Sequence, residues 1–365
     1  MSIRTGTSMD KERDQTDKAA RLIDVARLAN VSRATAARAL GGYGLVTDAT
    51  RERVAAAATA LNYRVNELAR SMRSGRTLTI GVIVADITNS FFTSAIRAII
   101  ETAATAGYQI LVLNSDDDIR REREALRVLL EKRVDGLIVV PASPRETDHL
   151  LARGEPDVPI VLLDRYIDPP EIDFVTTDDF EAARAAIRLL ADRGHRRIGM
   201  LVATAAVASH STKQPKGVVT TVSNRVDGAI AALKELDIPY NRDWHRYSRT
   251  NLAIAKAAAI KILQTSPRPT AVLATNEEMA LGFVAACGEL DLSIGDDVSL
   301  ISFDDTPWAS VFRPALSVVQ RPVYALGEAA VTVLLSKIAG DKTVQSIKLP
   351  AVLIDRNSVG PPKTR

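Results

Sequence analysis

The sequence predicts an α/β protein in which a small helical head precedes a core of two doubly wound parallel sheets. Three observations support this prediction. The first 63 residues contain short helical segments with little apolar bulk, apolar strands alternate with helices from Leu78 onward, and the two parts differ in charge. A chain of 365 residues is also too long for one compact core, so more than one domain is expected.

Charge is distributed unevenly along the chain. The formal net charge is +3, but residues 1–78 contain 14 Lys and Arg against 8 Asp and Glu, so this part carries +6 and the remainder −3. A basic head on a mildly acidic body indicates that the head meets a polyanion. The alternative is a basic face that only contacts solvent.

Composition and motifs exclude several classes of protein. The single cysteine, Cys287, cannot form an internal disulfide and fits a reducing compartment, and the four histidines are too scattered for a local metal site. No apolar run approaches the length of a membrane span, and residues 1–20 lack the apolar segment of a secretion signal. Walker-type glycine loops, HExxH and G-x-S-x-G are absent. We therefore expect a cytoplasmic protein that is not an enzyme, needs no cofactor, and begins with a disordered tail over residues 1–20.

The first predicted helix of the head spans residues 22–29, LIDVARLA. Its apolar residues are expected to form one buried face: Ile23, Val25, Ala26 and Leu28 or Ala29. Asn30 follows, and asparagine tolerates the left-handed backbone that ends a helix abruptly. Ser32 is placed to cap a second helix, and so short a turn between two helices is typical of a helix-turn-helix motif.

The second predicted helix, Arg33–Leu40, is rich in alanine. Small side chains let a helix approach its neighbours or another molecule closely, and its polar residues Arg33, Thr35 and Arg38 are expected to face outward into a groove. Thr47 is placed to cap a third helix. The buried stripe of that helix is predicted to be Val54, Ala57, Ala58 and Leu61.

The predicted head, residues 21–63, is followed by a basic segment, residues 64–77, with Asn66 as its expected cap and Gly75 as its end. This segment is too short to form a stable helix in isolation. We therefore expect it to be a hinge that orders only against a partner.

From Leu78 to about residue 360, short strands rich in branched apolar residues alternate with helices, beginning with LTIGVIVADI, YQILVLNS, VDGLIVVPAS and PIVLLDRY. This alternation predicts parallel sheets covered by helices, and about ten strands divide into two doubly wound halves. We expect the first half to comprise residues 78–177 and 322–339, and the second residues 178–321 and 340–360.

Open parallel sheets bind ligands beyond the carboxyl ends of their strands. Polar residues stand at these predicted ends: Asp86, Asn114, Asp164, Arg165, Asn276, Asp304 and Asp305.

Eight segments follow one another in a familiar order: IDVARLANVSRATAARAL, TRERVAAAATALNYRVNELARSMRSGRT, TIGVIVADITNSFF, VDGLIVVP, RGHRRIG, MALG, DVSLISFDD and PALSVV. In this order and spacing the chain resembles the lactose-repressor and purine-repressor family of bacterial transcription regulators over residues 21–359. The resemblance implies a homodimer whose heads bind two half-sites of double-stranded operator DNA. It also implies a core like that of periplasmic sugar-binding proteins, with a small effector in its cleft.

The expected function is therefore repression of carbohydrate-utilisation genes under the control of a sugar or sugar derivative. A plain solute-binding protein is the alternative, but the basic head and the lack of a secretion signal count against it. The final residues, GPPKTR, carry no leucine heptad tail, which favours a dimer over a tetramer.

By the family pattern, Arg33, Ala34 and Arg38 occupy the base-contacting positions of the second helix. An arginine can donate two hydrogen bonds to O6 and N7 of guanine, and the alternative for either arginine is a phosphate contact. Met72 stands where the family has the leucine that wedges between base pairs. The residues expected at DNA are Ser32, Arg33, Ala34, Thr35, Arg38, Asn66, Arg70 and Met72.

The head departs from the family pattern in places. Ala36 and Ala37 replace a common Val-Ser pair, which removes one hydroxyl suited to a phosphate contact. Arg21 replaces a capping threonine, so the first helix cap is expected to be weaker by about 1 kcal/mol.

For the effector, the resemblance assigns polar and aromatic residues to the cleft. The expected set is Asp86, Asn89, Phe91, Phe92, Asp164, Arg165, Arg225, Asn276, Asp304 and Arg321. Asp164 and Asp304 have an alternative role as structural partners of Arg165 and Arg321. Arg321 replaces a common glutamine, and an arginine in the cleft favours an anionic ligand such as a sugar acid or sugar phosphate. Residues 203–224 exceed the family's usual length, so the assignment of Arg225 rests on the VDG that follows it.

Overall fold

The structure is a computed structural model that describes residues 20–41, 43–63, 75–152, 158–167, 172–205, 207 and 209–363. The chain divides into two compact units, residues 1–77 and residues 78–365. We call them the head and the core.

In the described part of the head there are three helices, α1 (Leu22–Leu28), α2 (Arg33–Gly41) and α3 (Asp48–Ala60). Their shared interior consists mostly of small residues: Val25, Ala26, Ala29, Ala36, Ala39, Val54, Ala57 and Ala58. Asn30 has the predicted left-handed backbone, with φ of 52°. The Ser32 hydroxyl accepts the backbone N–H of Thr35 at 3.0 Å, so Ser32 caps α2 as expected.

The predicted buried face of α1 is wrong at Ile23, and of the two alternatives Leu28 and Ala29 the structure buries Ala29. Ile23 and Leu28 are 45% and 55% exposed, whereas Val25, Ala26 and Ala29 are buried. Leu22 packs against this core from its edge. Residues 22, 25, 26 and 29 share one face of a helix with 3.6 residues per turn, and residues 23 and 28 lie off that face. The sequence interpretation combined two faces of a short helix.

The helix caps of the head differ from the prediction in detail. Asp24 partly replaces the missing threonine cap, because its carboxylate accepts the backbone N–H of Arg21 at 3.0 Å. Thr47 precedes α3 as predicted, but its hydroxyl donates to Thr50 Oγ1 at 2.9 Å and makes no cap bond to the backbone.

The core begins with an alternation of strands and helices up to residue 192. The elements are β1 (Thr79–Val84), α4 (Ser90–Thr105), β2 (Gln109–Asn114), α5 (Ile119–Glu131), β3 (Gly136–Val139), α6 (Asp148–Leu151), β4 (Ile160–Leu163), β5 (Asp173–Thr177) and α7 (Asp179–Asp192).

The alternation continues to residue 354. The elements are β6 (Ile198–Ala203), β7 (His210–Ser211), α8 (Thr220–Glu235), a 3-10 turn (Arg242–Trp244), β8 (His245–Ser248), α9 (Leu252–Leu263), β9 (Ala271–Ala274), α10 (Glu277–Glu289), β10 (Ser299–Phe303), α11 (Pro307–Val311), β11 (Ser317–Gln320), α12 (Val323–Ile338), β12 (Ser346–Leu349) and β13 (Val352–Ile354).

These strands form two sheets, each at the centre of one lobe. Among the described residues, the first lobe has a six-stranded parallel sheet in the order β12-β5-β4-β3-β1-β2. The second lobe has a seven-stranded sheet in the order β13-β11-β10-β9-β6-β8-β7, parallel except for β13 and β7 at its edges. Helices α4 and α12 pack against the first sheet, and α7 and α8 against the second.

The chain passes between the lobes three times. The crossings follow β5 near Asp178, follow β11 at Arg321 and Pro322, and join β12 to β13 at Pro350. The predicted division is wrong for β12, because Ser346–Leu349 pairs in parallel with β5 and belongs to the first lobe. The alternation of strands and helices predicts that β12 is a strand but not which of the two sheets it joins, since its pairing with β5 is a contact between distant segments.

Close packing of α8 against α7 fixes the position of Arg225 relative to Asp179. A Cβ on Gly228 of α8 would lie 2.2 Å from the carbonyl oxygen of Phe180, so only glycine allows this approach. The short distance between the helices brings Arg225 of α8 next to Asp179 at the start of α7.

His245 at the start of β8 makes the stability of the core sensitive to acid. The ring is buried, its Nε2 has no hydrogen-bond partner among the described residues, and burial lowers its pKa to about 3 from an ordinary 6.5. The unfolded chain therefore binds a proton in this range and the folded chain does not. Stability is lost as the pH falls from about 6.5 toward 3.

We expect His245→Phe, which keeps a ring against Tyr240, to lose stability less steeply on acidification than the parent. Urea unfolding of the full chain at several pH values between 7.5 and 4 measures the difference. Equal slopes for the parent and the variant would contradict this assignment.

Candidate functional site

A cavity of about 230 Å³ lies between the two lobes of the core. All ten residues that the sequence predicted for the effector line it: Asp86, Asn89, Phe91, Phe92, Asp164, Arg165, Arg225, Asn276, Asp304 and Arg321. Two other polar strand-end residues, Asn114 and Asp305, do not line it. Asp305 instead accepts two hydrogen bonds from Arg356, both at 2.8 Å.

Arg321 is the centre of the charged network in this cavity. Its Nε and Nη2 donate to the two carboxylate oxygens of Asp304 at 2.7 and 3.0 Å, and Nη1 donates to Asp164 Oδ1 at 2.7 Å. The guanidinium carbon also lies 3.6 Å from the ring centroid of Phe91. Burial alone would lower the pKa of Arg321, but the carboxylates of Asp304, Asp164 and Asp179 outweigh it and raise the pKa.

Arg225 is held in place by the second lobe. It donates to the backbone carbonyl of Thr275 at 2.6 Å and to Asp179 Oδ2 at 3.1 Å, and it lies over the ring of Phe303 at 4.4 Å. Asp179 is fully buried, and this burial raises its pKa even though Arg225 and Arg321 oppose the shift. Sequence reasoning missed Asp179 because it opens a helix rather than ending a strand.

Arg165 is held by the first lobe. It pairs with Asp117 and donates to the backbone carbonyl of Pro141 at 3.1 Å. Its Nε lies 3.9 Å from Asp164 Oδ2. Burial lowers the pKa of Arg165, but the charge of Asp117 outweighs it and the net shift is upward. Asp117 also lines the cavity and was missed, since it lies in a loop of three consecutive aspartates that gives no distinctive signal.

Asp164 and Asp304 hold equivalent positions in the two lobes. Each follows a central strand, β4 or β10, and each has a left-handed backbone with φ of 66° or 73°. The backbone N–H of each donates to the next strand, from Asp164 to Val175 and from Asp304 to Val319, both at 2.9 Å. A left-handed backbone is strained at a residue other than glycine, so it persists only where surrounding contacts hold it in place. Residues with such strain cluster at ligand sites.

Two asparagines of the cavity also cap helices. Asn89 Oδ1 accepts the backbone N–H of Phe91 at 2.9 Å at the start of α4, and Asn276 Oδ1 accepts that of Met279 at 3.0 Å at the start of α10. The caps place the N-termini of two helices, one from each lobe, at the cleft. Asn89 Nδ2 also donates to Glu278 Oε1 of the opposite lobe at 3.3 Å.

Apolar residues form the remaining walls of the cavity. Phe91 and Phe92 lie on the first lobe with their rings edge to face at 5.2 Å. Val218, Val219 and Val222 lie on the second. The valines belong to the long segment 203–224 and were not predicted, because aliphatic residues in an insertion carry no sequence signal for a ligand.

In the head, the residues predicted for DNA lie on one exposed surface of α2. Arg33, Ala34 and Arg38 are exposed, and Thr35 is partly exposed with its hydroxyl 2.9 Å from Ser32 Oγ. We call these residues, with Ser32, the α2 face. Three further predicted residues, Asn66, Arg70 and Met72, lie outside the described residues.

A helix-turn-helix head and a two-lobed core with a polar interlobe cavity define the class of ligand-controlled DNA-binding regulators. The sequence profile described as "Bacterial regulatory proteins, lacI family" matches residues 21–66. The profile described as "Periplasmic binding proteins and sugar binding domain of LacI family" matches residues 77–357. The chain belongs to the lacI family of bacterial transcriptional regulators, and it is not an enzyme.

Individual relatives agree with this assignment. The HTH-type transcriptional repressor PurR of Vibrio vulnificus is 32% identical over 86% of this chain and 91% of its own length. The crystal structure of the Lac repressor dimer bound to operator and the anti-inducer ONPF has a TM-score of 0.81 and 25% identity, and the match covers 94% of this chain and 100% of that one. A LacI family regulator from Enterococcus faecium with bound ribose has a TM-score of 0.67 and 27% identity over 78% of this chain and 100% of its own.

None of the helices in the described part of the chain is long and apolar enough to span a membrane. Within the same residues, no cluster of His, Cys, Asp and Glu has the arrangement of a metal site.

Asn276 offers a test of how the cavity is built. Asn276→Ala removes the acceptor for the N–H of Met279, and we expect the free energy of unfolding to fall by about 1 kcal/mol. Asn276→Ser keeps an oxygen that can accept the same N–H and adds no charge to a cavity that already has four carboxyl groups, so it should retain most of the stability. Urea denaturation of both variants separates the outcomes, and an equal loss in both would show that the cap is unimportant.

Proposed function

We propose that the protein is a repressor of carbohydrate-utilisation genes that binds operator DNA as a homodimer and is controlled by an uncharged sugar in the interlobe cavity. The proposal assigns the α2 face and the hinge residues Asn66, Arg70 and Met72 to DNA, and the ten predicted cavity residues to the effector. The observation that carries it is the composition of the cavity, where hydrogen-bonding groups of both lobes lie between apolar walls.

The cavity suits a ligand with hydroxyl groups at its edge and apolar faces. Carboxylate and amide groups of Asp86, Asn89, Asp164, Asn276 and Asp304 provide acceptors and donors for hydroxyl groups. Phe92 on one side and the three valines on the other provide surfaces for the C–H groups of a sugar ring, while Arg321 covers one face of Phe91. The volume of about 230 Å³ favours a small ligand such as a monosaccharide.

The charge of the cavity favours an uncharged sugar over the anionic ligand that Arg321 suggested in the sequence. Four carboxyl groups and three guanidinium groups line the described cavity: Asp86, Asp117, Asp164 and Asp304 against Arg165, Arg225 and Arg321. Each guanidinium already bonds to a carboxylate, namely that of Asp117, Asp179 or Asp304. An anionic effector would enter without a cation to pair with it, and burying an unpaired charge is costly.

The α2 face suits close contact with the edges of base pairs. Arg33 and Arg38 are exposed on either side of Ala34, whose small side chain leaves room for the helix to approach the bases. Two relatives support the proposed partners, since the Enterococcus faecium regulator has bound ribose and the Lac repressor dimer is bound to operator.

We expect Arg33→Ala and Arg38→Ala to weaken binding to the chain's own promoter region by about 5- to 150-fold, as lost base contacts are worth about 1–3 kcal/mol. Fluorescence anisotropy with fragments that tile this region measures the loss. The parent should also lose affinity steeply as salt rises, because phosphate contacts release counterions.

Arg27→Ala is the matched control for this experiment. Arg27 is an exposed arginine of α1, so the variant loses the same charge from the head but leaves the α2 face intact. A loss of affinity in Arg27→Ala as large as that in Arg33→Ala would contradict base contact by α2. Failure of the intact homodimer to bind any fragment would refute the DNA-binding role.

We expect an uncharged aldose to raise the melting temperature more than the matched sugar acid, for example D-galactose compared with D-galacturonate. A ligand at a hundred times its dissociation constant adds about 2.7 kcal/mol of apparent stability. A thermal-shift screen of aldoses, their acids and nucleobases measures this, with Asp304→Asn as the variant that should lose the shift. A larger shift with a sugar acid or a nucleobase than with every aldose would overturn the sugar assignment.

A further inference from the structure

Arg321 connects the two lobes through their own charges. It lies in the second crossing of the chain, directly after β11, and bonds to Asp304 of the second lobe with two of its N–H groups. A third N–H reaches Asp164 at the end of β4 in the first lobe. The guanidinium also covers the ring of Phe91, which belongs to the first lobe.

We propose that Arg321 is a positioning residue that keeps the cleft closed when no effector is bound, by bridging carboxylates of opposite lobes. The bridge needs no ligand atom, since both of its ends are protein carboxylates. The proposal goes beyond effector binding and does not require that the effector be a sugar.

Removal of the cation would reverse the sign of the force between the lobes. Asp164 and Asp304 are both largely buried at their side chains and bond to the same guanidinium. Without that guanidinium, two carboxylates would face each other in a site of low dielectric and repel. A glutamine at position 321 can bond to one of them but cannot neutralise either.

Further hydrogen bonds join the two lobes at the rim of the cleft. They can form only when the cleft is closed, so their presence indicates closure. Ser90 Oγ donates to Glu277 Oε2 at 2.6 Å beside α4 and α10. On the α8 side, the backbone N–H of Tyr166 in the first lobe donates to Thr220 Oγ1 in the second at 3.1 Å. Since this bond joins the two lobes, we expect the Tyr166 amide to exchange its hydrogen when the cleft opens.

The charge bridge also constrains the effector. Arg321 uses three of its five N–H groups on protein carboxylates, which leaves one on Nη1 and one on Nη2 for a ligand. A ligand that accepts hydrogen bonds from these two N–H groups can bind while the bridge stays intact. A ligand that bonds to Asp164 in place of Arg321 breaks the bond between Arg321 and Asp164 and so weakens the bridge.

Hydrogen exchange of the ligand-free full chain, followed by mass spectrometry at the peptide that contains Tyr166, tests the proposal. We expect Arg321→Gln to speed exchange of this amide by at least about tenfold, because the cleft opens locally while the sheets stay folded. Amides of β1, at the centre of the first sheet, serve as the internal control for global unfolding and should keep their protection.

Arg356→Gln is the matched control variant. Arg356 also bonds to an aspartate with two N–H groups, but its partner, Asp305, lies in the same lobe. This variant should leave the Tyr166 amide at the parental rate. Equal rates in Arg321→Gln and the parent, or equal acceleration in Arg356→Gln, would overturn the proposal.

Asp164→Asn provides a second variant that keeps Arg321 and its pair with Asp304. It weakens the first-lobe end of the bridge, together with the longer contact of Asp164 with Arg165 at 3.9 Å, so it should also speed exchange at Tyr166. If Arg321→Gln does not fold, this variant decides the question, and an unchanged rate in Asp164→Asn would refute the bridge.

Discussion

Three buried guanidinium groups in the described part of the cleft set the strongest constraint on this structure, because a charge removed from bulk water must keep a carboxylate partner. Arg165 has Asp117, Arg225 has Asp179, and Arg321 has Asp304 and Asp164. Loss of one partner from a buried ion pair costs about 3–5 kcal/mol. Side chains that would otherwise be free to recognise a ligand are therefore fixed in position before any ligand arrives.

The fold creates this arrangement through the ends of its strands. Parallel strands bring their carboxyl ends to one edge of a sheet, and the two sheets present these edges to a common cleft. Asp164 and Asp304 follow β4 and β10 in the same left-handed conformation. The two lobes thus offer matching carboxylates to one cation, which comes from a crossing between them.

The sequence predicted the architecture well because the signals for it are local. Alternating apolar strands and helices require parallel sheets, and polar residues at strand ends must gather at the same edge, which applies to five of the cavity residues: Asp86, Asp164, Arg165, Asn276 and Asp304. The other five were expected only because the chain resembles the lactose-repressor and purine-repressor family. The assignment of DNA contacts to the α2 face stays a prediction, as does the role of every cavity residue toward an effector.

What the sequence did not predict depends on contacts between distant segments. Asp179 and Asp117 are partners of cavity arginines, but one begins a helix and the other lies in an acidic loop, so neither position signals its role. The sequence offered a pair between Asp304 and Arg321 as an alternative, and the structure has it, but the further bond from Arg321 to Asp164 in the other lobe was not predicted. Likewise β12 belongs to the first lobe because of its pairing with β5, which no local pattern encodes.

The composition of the head limits the apolar surface that its interior can bury. The interior of the three helices is mostly alanine, whereas larger apolar residues such as Ile23, Leu28 and Leu45 are exposed, Leu45 completely. Alanine buries little apolar surface, and a unit of this size buries a smaller fraction of its surface than a larger domain. A binding partner selects the folded form and adds to its stability by mass action. Different alanines of α2 have different positions, since Ala36 and Ala39 face the interior whereas Ala34 lies on the exposed α2 face, so one short alanine-rich helix supplies both a thin core and a surface without bulky side chains.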